Sequence, residues 1–222
     1  MKRIIISDTH IGSKYYKAVE LTNFLKNVDY DELILAGDIV EMIRIPLFNK
    51  RVLEIAQAIN FSKKIIYIVG NHDTPLAGLI GTNVLGVEFV KQYEFVEGGR
   101  RFRVEHGDDY DDSDIVKSSI MMSFVTAFQG WIENWFDYNL QDLYTEWSMK
   151  KKNLRRVWDI IKWNTDADVF ICGHSHTPEC VIWISPNQEI KTYINSGDWV
   201  SHSTYVEIID GQARLKEYSH VI

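Results

Sequence analysis

The sequence predicts a layered α/β domain, α+β in its second half, with a helical insertion. Three observations carry this. The first half alternates continuous β-branched apolar runs with segments of helical period, the pattern of a parallel sheet covered on both faces. Beyond residue 165 only strand runs and turn signals remain. Between them, residues 112–165 hold no proline and one glycine, Gly130, so long helices are expected there. A chain of 222 residues and 25.9 kDa suits a single domain over 1–222, with 112–165 inserted within it.

The elements follow in order. Residues 2–7 read as a strand, and 14–28 as a helix through Val19, Leu21, Phe24, Leu25 and Val28. Residues 32–36 make the next strand, 49–61 a helix, and 65–69 a third strand. The rhythm then changes: 88–97 and 101–106 flank Gly98-Gly99, a hairpin signal. After the insertion come strands at 169–172, 181–185 paired with 190–194, 204–209 and 213–218. Pro186-Asn187-Gln188 and Asp210-Gly211-Gln212 are the turns between them. There is no internal repeat and no low-complexity linker.

Composition sets outer bounds. Hydrophobic content of 45% and charged content of 25% are ordinary for a globular protein. A formal charge of -7 argues against a nucleic-acid partner held by phosphate contacts, and fits a chain whose carboxylates hold cations. The strand-like Arg3-Ile4-Ile5-Ile6, almost at once after Met1, leaves no room for a signal peptide. No apolar run reaches the length of a membrane span. Cys172 and Cys180 have neither zinc-site spacing nor the density of a disulfide framework. A cytoplasmic protein is expected.

Chemistry gathers where strands end, the usual place for it in α/β folds. The clusters are Asp8-Thr9-His10, Gly37-Asp38, Gly70-Asn71-His72-Asp73, Glu105-His106-Gly107-Asp108, Gly173-His174-Ser175-His176 and, less diagnostically, Gly197-Asp198. On an extended backbone Asp8 and His10 point the same way, as do His174 and His176, so each pair can grip one ion. Gly37 lets a metal approach the backbone beside Asp38, whose carboxylate can bridge two cations. The seven ligands divide into Asp8, His10, Asp38 and His176 on one ion, and Asp38, Asn71, His106 and His174 on the other. Mixed O and N donors suit Mn, Fe or Zn, with Mn the first expectation. Two such ions about 3.5–4 Å apart lower the pKa of a water and clamp phosphate oxygens. Any one cluster also has a plain structural reading, as a capped turn or a strand-end histidine, and it is their joint order that points to chemistry.

D-x-H, G-D, G-N-H-D, H-G and G-H-x-H in this order resemble the calcineurin-like metallophosphoesterases, over residues 8 to 176. The resemblance implies a β-sandwich flanked by helices and a hydrolase of phosphate esters. It also implies that His72 is the catalytic residue, stabilising phosphoryl oxygens and protonating the leaving group, with Asp73 orienting its imidazole. Three stretches narrow the resemblance to the UDP-2,3-diacylglucosamine pyrophosphohydrolase-like branch. They are His106-Gly107-Asp108 with Tyr110-Asp111, Cys172-Gly173-His174-Ser175-His176-Thr177-Pro178-Glu179, and Asn195-Ser196-Gly197-Asp198-Trp199-Val200. That branch implies cleavage of the pyrophosphate of a UDP-linked acylated sugar beneath a helical lid. The chain departs from its characterised members in carrying His72 where they carry arginine. The alternatives are a nuclease or general phosphodiesterase of the superfamily and, from another class, a non-catalytic scaffold.

The insertion decides the substrate. It carries five of the seven tryptophans, and Met121, Phe124, Phe128, Trp131, Trp135 and Tyr138 form one apolar stripe, with Met122, Val125, Ile132 and Phe136 on a second face. Either that second face receives acyl chains or a membrane surface, or it packs against protein, including a second subunit. Trp131 and Trp135 are the candidate substrate contacts. Lys151 and Arg155, from the run Lys150-Lys151-Lys152 and Arg155-Arg156, are the candidate phosphate contacts, or a solvated helix face. The expected partners are a phosphorylated small-molecule or lipid-linked substrate, a membrane surface touched peripherally, and a second copy in a homodimer.

Overall fold

A computed structural model describes residues 1–42, 49–110 and 166–219. The insertion at 112–165, with Trp131, Trp135, Lys151 and Arg155, lies outside the described residues.

The strands are β1 (Lys2–Ile6), β2 (Glu32–Ala36), β3 (Lys64–Ile68), β4 (Asn83–Val84), β5 (Val87–Val90), β6 (Gln92–Glu97), β7 (Arg100–Glu105), β8 (Val169–Cys172), β9 (Glu179–Ile184), β10 (Ile190–Asn195), β11 (Thr204–Ile209) and β12 (Gln212–Glu217). Helix α1 (Ala18–Asn27) follows β1 and α2 (Lys50–Ala56) follows β2. The larger sheet runs β12-β11-β1-β2-β3-β5-β4, the smaller β6-β7-β8-β10-β9. β1, β2, β3 and β5 are parallel neighbours, and β11 joins β1 antiparallel. In the smaller sheet β7, β8 and β10 are parallel, with β6 and β9 antiparallel at the edges.

Period-two alternation builds the layers. Ile4, Ile6, Leu33, Leu35, Ile65 and Tyr67 pack toward Leu21, Phe24 and Leu25 of α1 and Ile55 of α2. The intervening Ile5, Ile34, Ile66 and Ile68 pack on Phe102, Val104, Val169, Ile171 and Ile194 of the smaller sheet. The result is a two-sheet sandwich with helices on an outer face, the fold that the resemblance implies. Each fully buried Ile or Leu contributes about 1.5–3 kcal/mol. Among the described residues no helix is long and apolar enough to cross a membrane.

Three elements differ from expectation. Residues 88–97 are two strands rather than one: β5 pairs with β3 and β6 with β7, so the chain passes between sheets at Lys91. One lysine is a weak break in a stretch that already alternates polar and apolar residues, and only pairing with different partners separates the halves. Helix α1 starts at Ala18 rather than at residue 14, because the Lys17 N–H donates to the Trp199 carbonyl and its Nζ to that of Ser201. Helix α2 starts where expected, with the Asn49 side chain accepting from the Arg51 N–H at 3.0 Å, but ends at Ala56.

Candidate metal centre

The C-terminal ends of β1, β2, β3, β7 and β8 meet at one edge of the sandwich, and each runs into a motif loop. The loops after β1 and β2 stay paired beyond their strands: Asp8 N–H donates to Gly37, His10 N–H to Asp38 and Ile11 N–H to Ile39 carbonyls, at 2.9–3.0 Å. Here the side chains converge by a different device from the one expected. Asp8 (φ 50°), His10 (43°), Asp38 (53°), His174 (65°) and His176 (56°) all adopt left-handed backbone, so Asp8-x-His10 and His174-x-His176 are not extended pairs. Left-handed non-glycine residues are costly, and their concentration at one place marks a site that the surrounding fold holds under constraint.

Two groups of ligand-type atoms result. Asp8, His10 and His176 each present one within 4.8 Å of the others, and so do Asp38, His106 and His174. In the first, His176 Nε2 lies 3.2 Å from His10 Nε2 and 3.4 Å from Asp8 Oδ1. In the second, His106 Nε2 lies 3.1 Å from Asp38 Oδ2 and 3.0 Å from Asn71 Oδ1. His106 Nδ1 faces the Ala36 carbonyl at 3.1 Å; a proton donated there leaves Nε2 as the inward-facing nitrogen. The Asp8 carboxylate accepts from the His174 N–H at 2.9 Å, and Asp38 Oδ1 from the His72 N–H at 2.8 Å.

A third group adjoins these two: His10, Glu41 and His72. Glu41 spans them, with Oε1 2.9 Å from His72 Nδ1 and Oε2 3.1 Å from His10 Nδ1. This corrects the role expected of Asp73. Its carboxylate accepts instead from the backbone N–H groups of Val40 (3.1 Å), Ile39 (3.2 Å) and Gly70 (3.4 Å), tying the β3 loop to the β2 loop. The carboxylate that holds the His72 imidazole is Glu41. Sequence reasoning missed it because Glu41 closes an apolar run, Ile39-Val40; the available signal was one acidic residue at a fixed spacing behind Asp38.

Five carboxylates are buried at this edge: Asp8, Asp38, Glu41, Asp73 and Asp198, none more than 3% exposed. Buried anions require cationic partners. Burial pushes the Asp8 carboxyl up to about 6, with Asp38 adding to the effect against the histidines. Asp38 goes the other way: burial would raise it, but His106 and His72 hold it well below the usual range. Burial likewise opposes the charged form of His106, yet Asp38 beside it pulls the imidazole up to about 10. The position between Asp38, Asn71 and His106 therefore calls for positive charge.

The donor set fits divalent cations. Carboxylate, amide and imidazole atoms converge without a thiolate, and glycines clear their approach: a Cβ at Gly37 would strike the His106 ring, at Gly70 the Asp38 carboxylate, and at Gly173 the Asp8 carboxylate and Ser7 Oγ. The same edge holds Asn195-Ser196-Gly197-Asp198, with Asp198 Oδ2 3.8 Å from His176 Nδ1.

No curated protein matches the chain. Among solved structures, Vps29 from Chaetomium thermophilum is 10% identical, covers 98% of this chain and 93% of its own, and superposes with a TM-score of 0.54, a likeness of fold. A structure described as a novel archaeal phosphodiesterase is 16% identical over 98% of this chain and 99% of its own, with a TM-score of 0.48. A predicted phosphoesterase from Streptococcus pneumoniae TIGR4 is 13% identical over 97% of each chain, with a TM-score of 0.42. A family model described as calcineurin-like phosphoesterase matches residues 1–178. That match takes in every loop from Asp8 to His176 that builds the centre, and on it the chain belongs to the calcineurin-like phosphoesterase family.

Proposed function

We propose that the chain is a hydrolase of a phosphodiester or pyrophosphate bond, dependent on two divalent cations. The observation that carries this is the pairing of two three-residue ligand groups with a further imidazole, His72, which a carboxylate holds from behind. Asp8, His10, Asp38 and His176 would hold one cation, and Asp38, Asn71, His106 and His174 the other. Mn is the first choice, and Fe or Zn suit the same donors. When bound, the cations supply activation of water and polarisation of the phosphoryl oxygens.

The remaining chemistry belongs to side chains. Glu41 accepts the Nδ1 proton of His72, so Nε2, 4.0 Å from Asp38 Oδ2, is the nitrogen turned to the site. From there it donates a proton to the leaving-group oxygen as the ester bond breaks. Asp73 contributes by fixing the loop on which His72 sits.

For the substrate we propose a UDP-linked acylated sugar or a related nucleotide or lipid pyrophosphate. The His106-Gly107-Asp108, Gly173-to-Glu179 and Asn195-to-Val200 motifs support this branch. On this reading, 112–165 is a lid within a single domain, Trp131 and Trp135 meet acyl chains, and Lys151 and Arg155 meet phosphate. The enzyme works in the cytoplasm at the membrane periphery, as a homodimer. Product analysis of the Mn-loaded protein on a UDP-acylglucosamine, simple nucleotides, dinucleoside polyphosphates and DNA tests the proposal. Release of UMP from the first supports it. Cleavage of DNA alone, or of nothing, overturns it.

A further inference from the structure

The family match stops at residue 178, yet the loop after β10 is built into the centre. Asn195 Nδ2 donates to the Gly173 carbonyl at 2.7 Å and lies 2.9 Å from Ser175 Oγ, bracketing His174. Ser196 N–H donates to the Cys172 carbonyl at 2.8 Å, and Ser196 Oγ lies 2.7 Å from Ser7 Oγ, next to Asp8. Gly197 turns with φ 74°, where a Cβ would strike Thr204 Oγ1. The turn delivers Asp198, 1% exposed, behind His176.

The Asp198 carboxylate is fixed from one side. Oδ1 accepts from three successive backbone N–H groups, Val200 (2.8 Å), Ser201 (2.5 Å) and His202 (3.1 Å). That leaves Oδ2 for imidazoles: His202 Nδ1 at 2.9 Å and His176 Nδ1 at 3.8 Å. On the other edge of the His176 ring, Nε2 faces Asp8 and His10. An imidazole ligates through one nitrogen with a definite orientation when its other nitrogen donates to a fixed acceptor, and a carboxylate acceptor also makes the ligating nitrogen more basic.

We propose that Asp198 is the positioning residue for His176, receiving its Nδ1 proton so that Nε2 is the metal-binding nitrogen. The exposed His202 shares Oδ2, with its Nδ1 at 2.9 Å. This deepens the metal-centre reading and rests on it. The loop's function is then to complete a carboxylate–imidazole–metal relay from beyond the matched residues 1–178.

The test uses the full chain with zinc alone. Asp198→Asn keeps the size of the side chain and an oxygen for the three N–H groups while removing the charge. It is expected to weaken zinc binding by about 10–100-fold at one of the two positions and to leave the other unchanged. In the wild type loaded with cadmium, nitrogen NMR should show His176 protonated at Nδ1 and coupled to the metal through Nε2. Unchanged zinc affinity in Asp198→Asn overturns the proposal while the metal-centre reading stands. No zinc bound by the wild type overturns both. Metal coupling through Nδ1 of His176 overturns the proposal even where the variant fails to fold.

Discussion

Glu41, not the neighbouring Asp73, holds the imidazole of His72, with a carboxylate oxygen 2.9 Å from Nδ1. The second oxygen of the same carboxylate reaches Nδ1 of His10 at 3.1 Å. One buried side chain thus orients both the proposed proton donor and a proposed ligand, and shifting it would disturb both together.

His72→Ala should lower turnover by about 10²–10⁴-fold while metal content stays near that of the wild type. The loss should shrink for an aryl ester whose leaving group needs no proton. Steady-state kinetics on alkyl and aryl phosphodiesters, with metal analysis of the same samples, checks this. Equal loss on both substrates would remove His72 as the acid.

Glu41→Gln should move the alkaline limb of kcat to lower pH. Burial opposes the charged form of His72, but Asp38 and Glu41 outweigh it and raise the imidazole to about 9. Proton donation needs the charged form, which is present below that value and lost as pH rises through it. Removing one of these anions lowers the pKa, so the activity should fail earlier in an alkaline titration. An unmoved limb would show that the Glu41 charge does not act on His72.

Asp73→Ala should act on stability instead. It strips the acceptor from buried N–H groups of Ile39, Val40 and Gly70, and each one left unsatisfied costs about 1–3 kcal/mol. Urea unfolding should show the loss, with the alkaline limb of the surviving activity moved to lower pH by less than in Glu41→Gln, because Asp73 adds less than Glu41 to the charged form of His72. A limb moved further than in Glu41→Gln, with wild-type stability, would return the orienting role to Asp73.

Gly37→Ala should impair the fold and the metal site together. Its φ of 84° disfavours any side chain by about 1–2 kcal/mol, and the new Cβ would fall on the His106 ring. Thermal melts with and without metal should show a lower midpoint and a smaller stabilisation by the ion. A variant stabilised by metal as much as the wild type would mean that His106 is not a ligand.

The strands of the parallel core were legible because Ile4-Ile5-Ile6, Leu33-Ile34-Leu35 and Ile65-Ile66 are buried on both faces and read as unbroken apolar runs. The motif residues were legible by order. The passage between sheets at Lys91 was not, since it depends on which strands β5 and β6 pair with. Nor was the geometry of Asp8, His10, His174 and His176, because aspartate and histidine only tolerate positive φ, and the packing of the loops imposes it. Glu41 escaped notice for a related reason: its partners His10 and His72 lie 31 residues away on either side and meet it only in the folded chain. Asp198 was visible as part of a weak motif, but the sequence does not show that it faces His176.

The most direct test of the central claim is metal-dependent turnover of bis(p-nitrophenyl) phosphate. Chelator-treated protein should be inactive, and activity should return with added Mn, saturating as bound metal reaches two ions per chain. Hydrolysis by the metal-free protein, or none with both ions bound, would contradict the account.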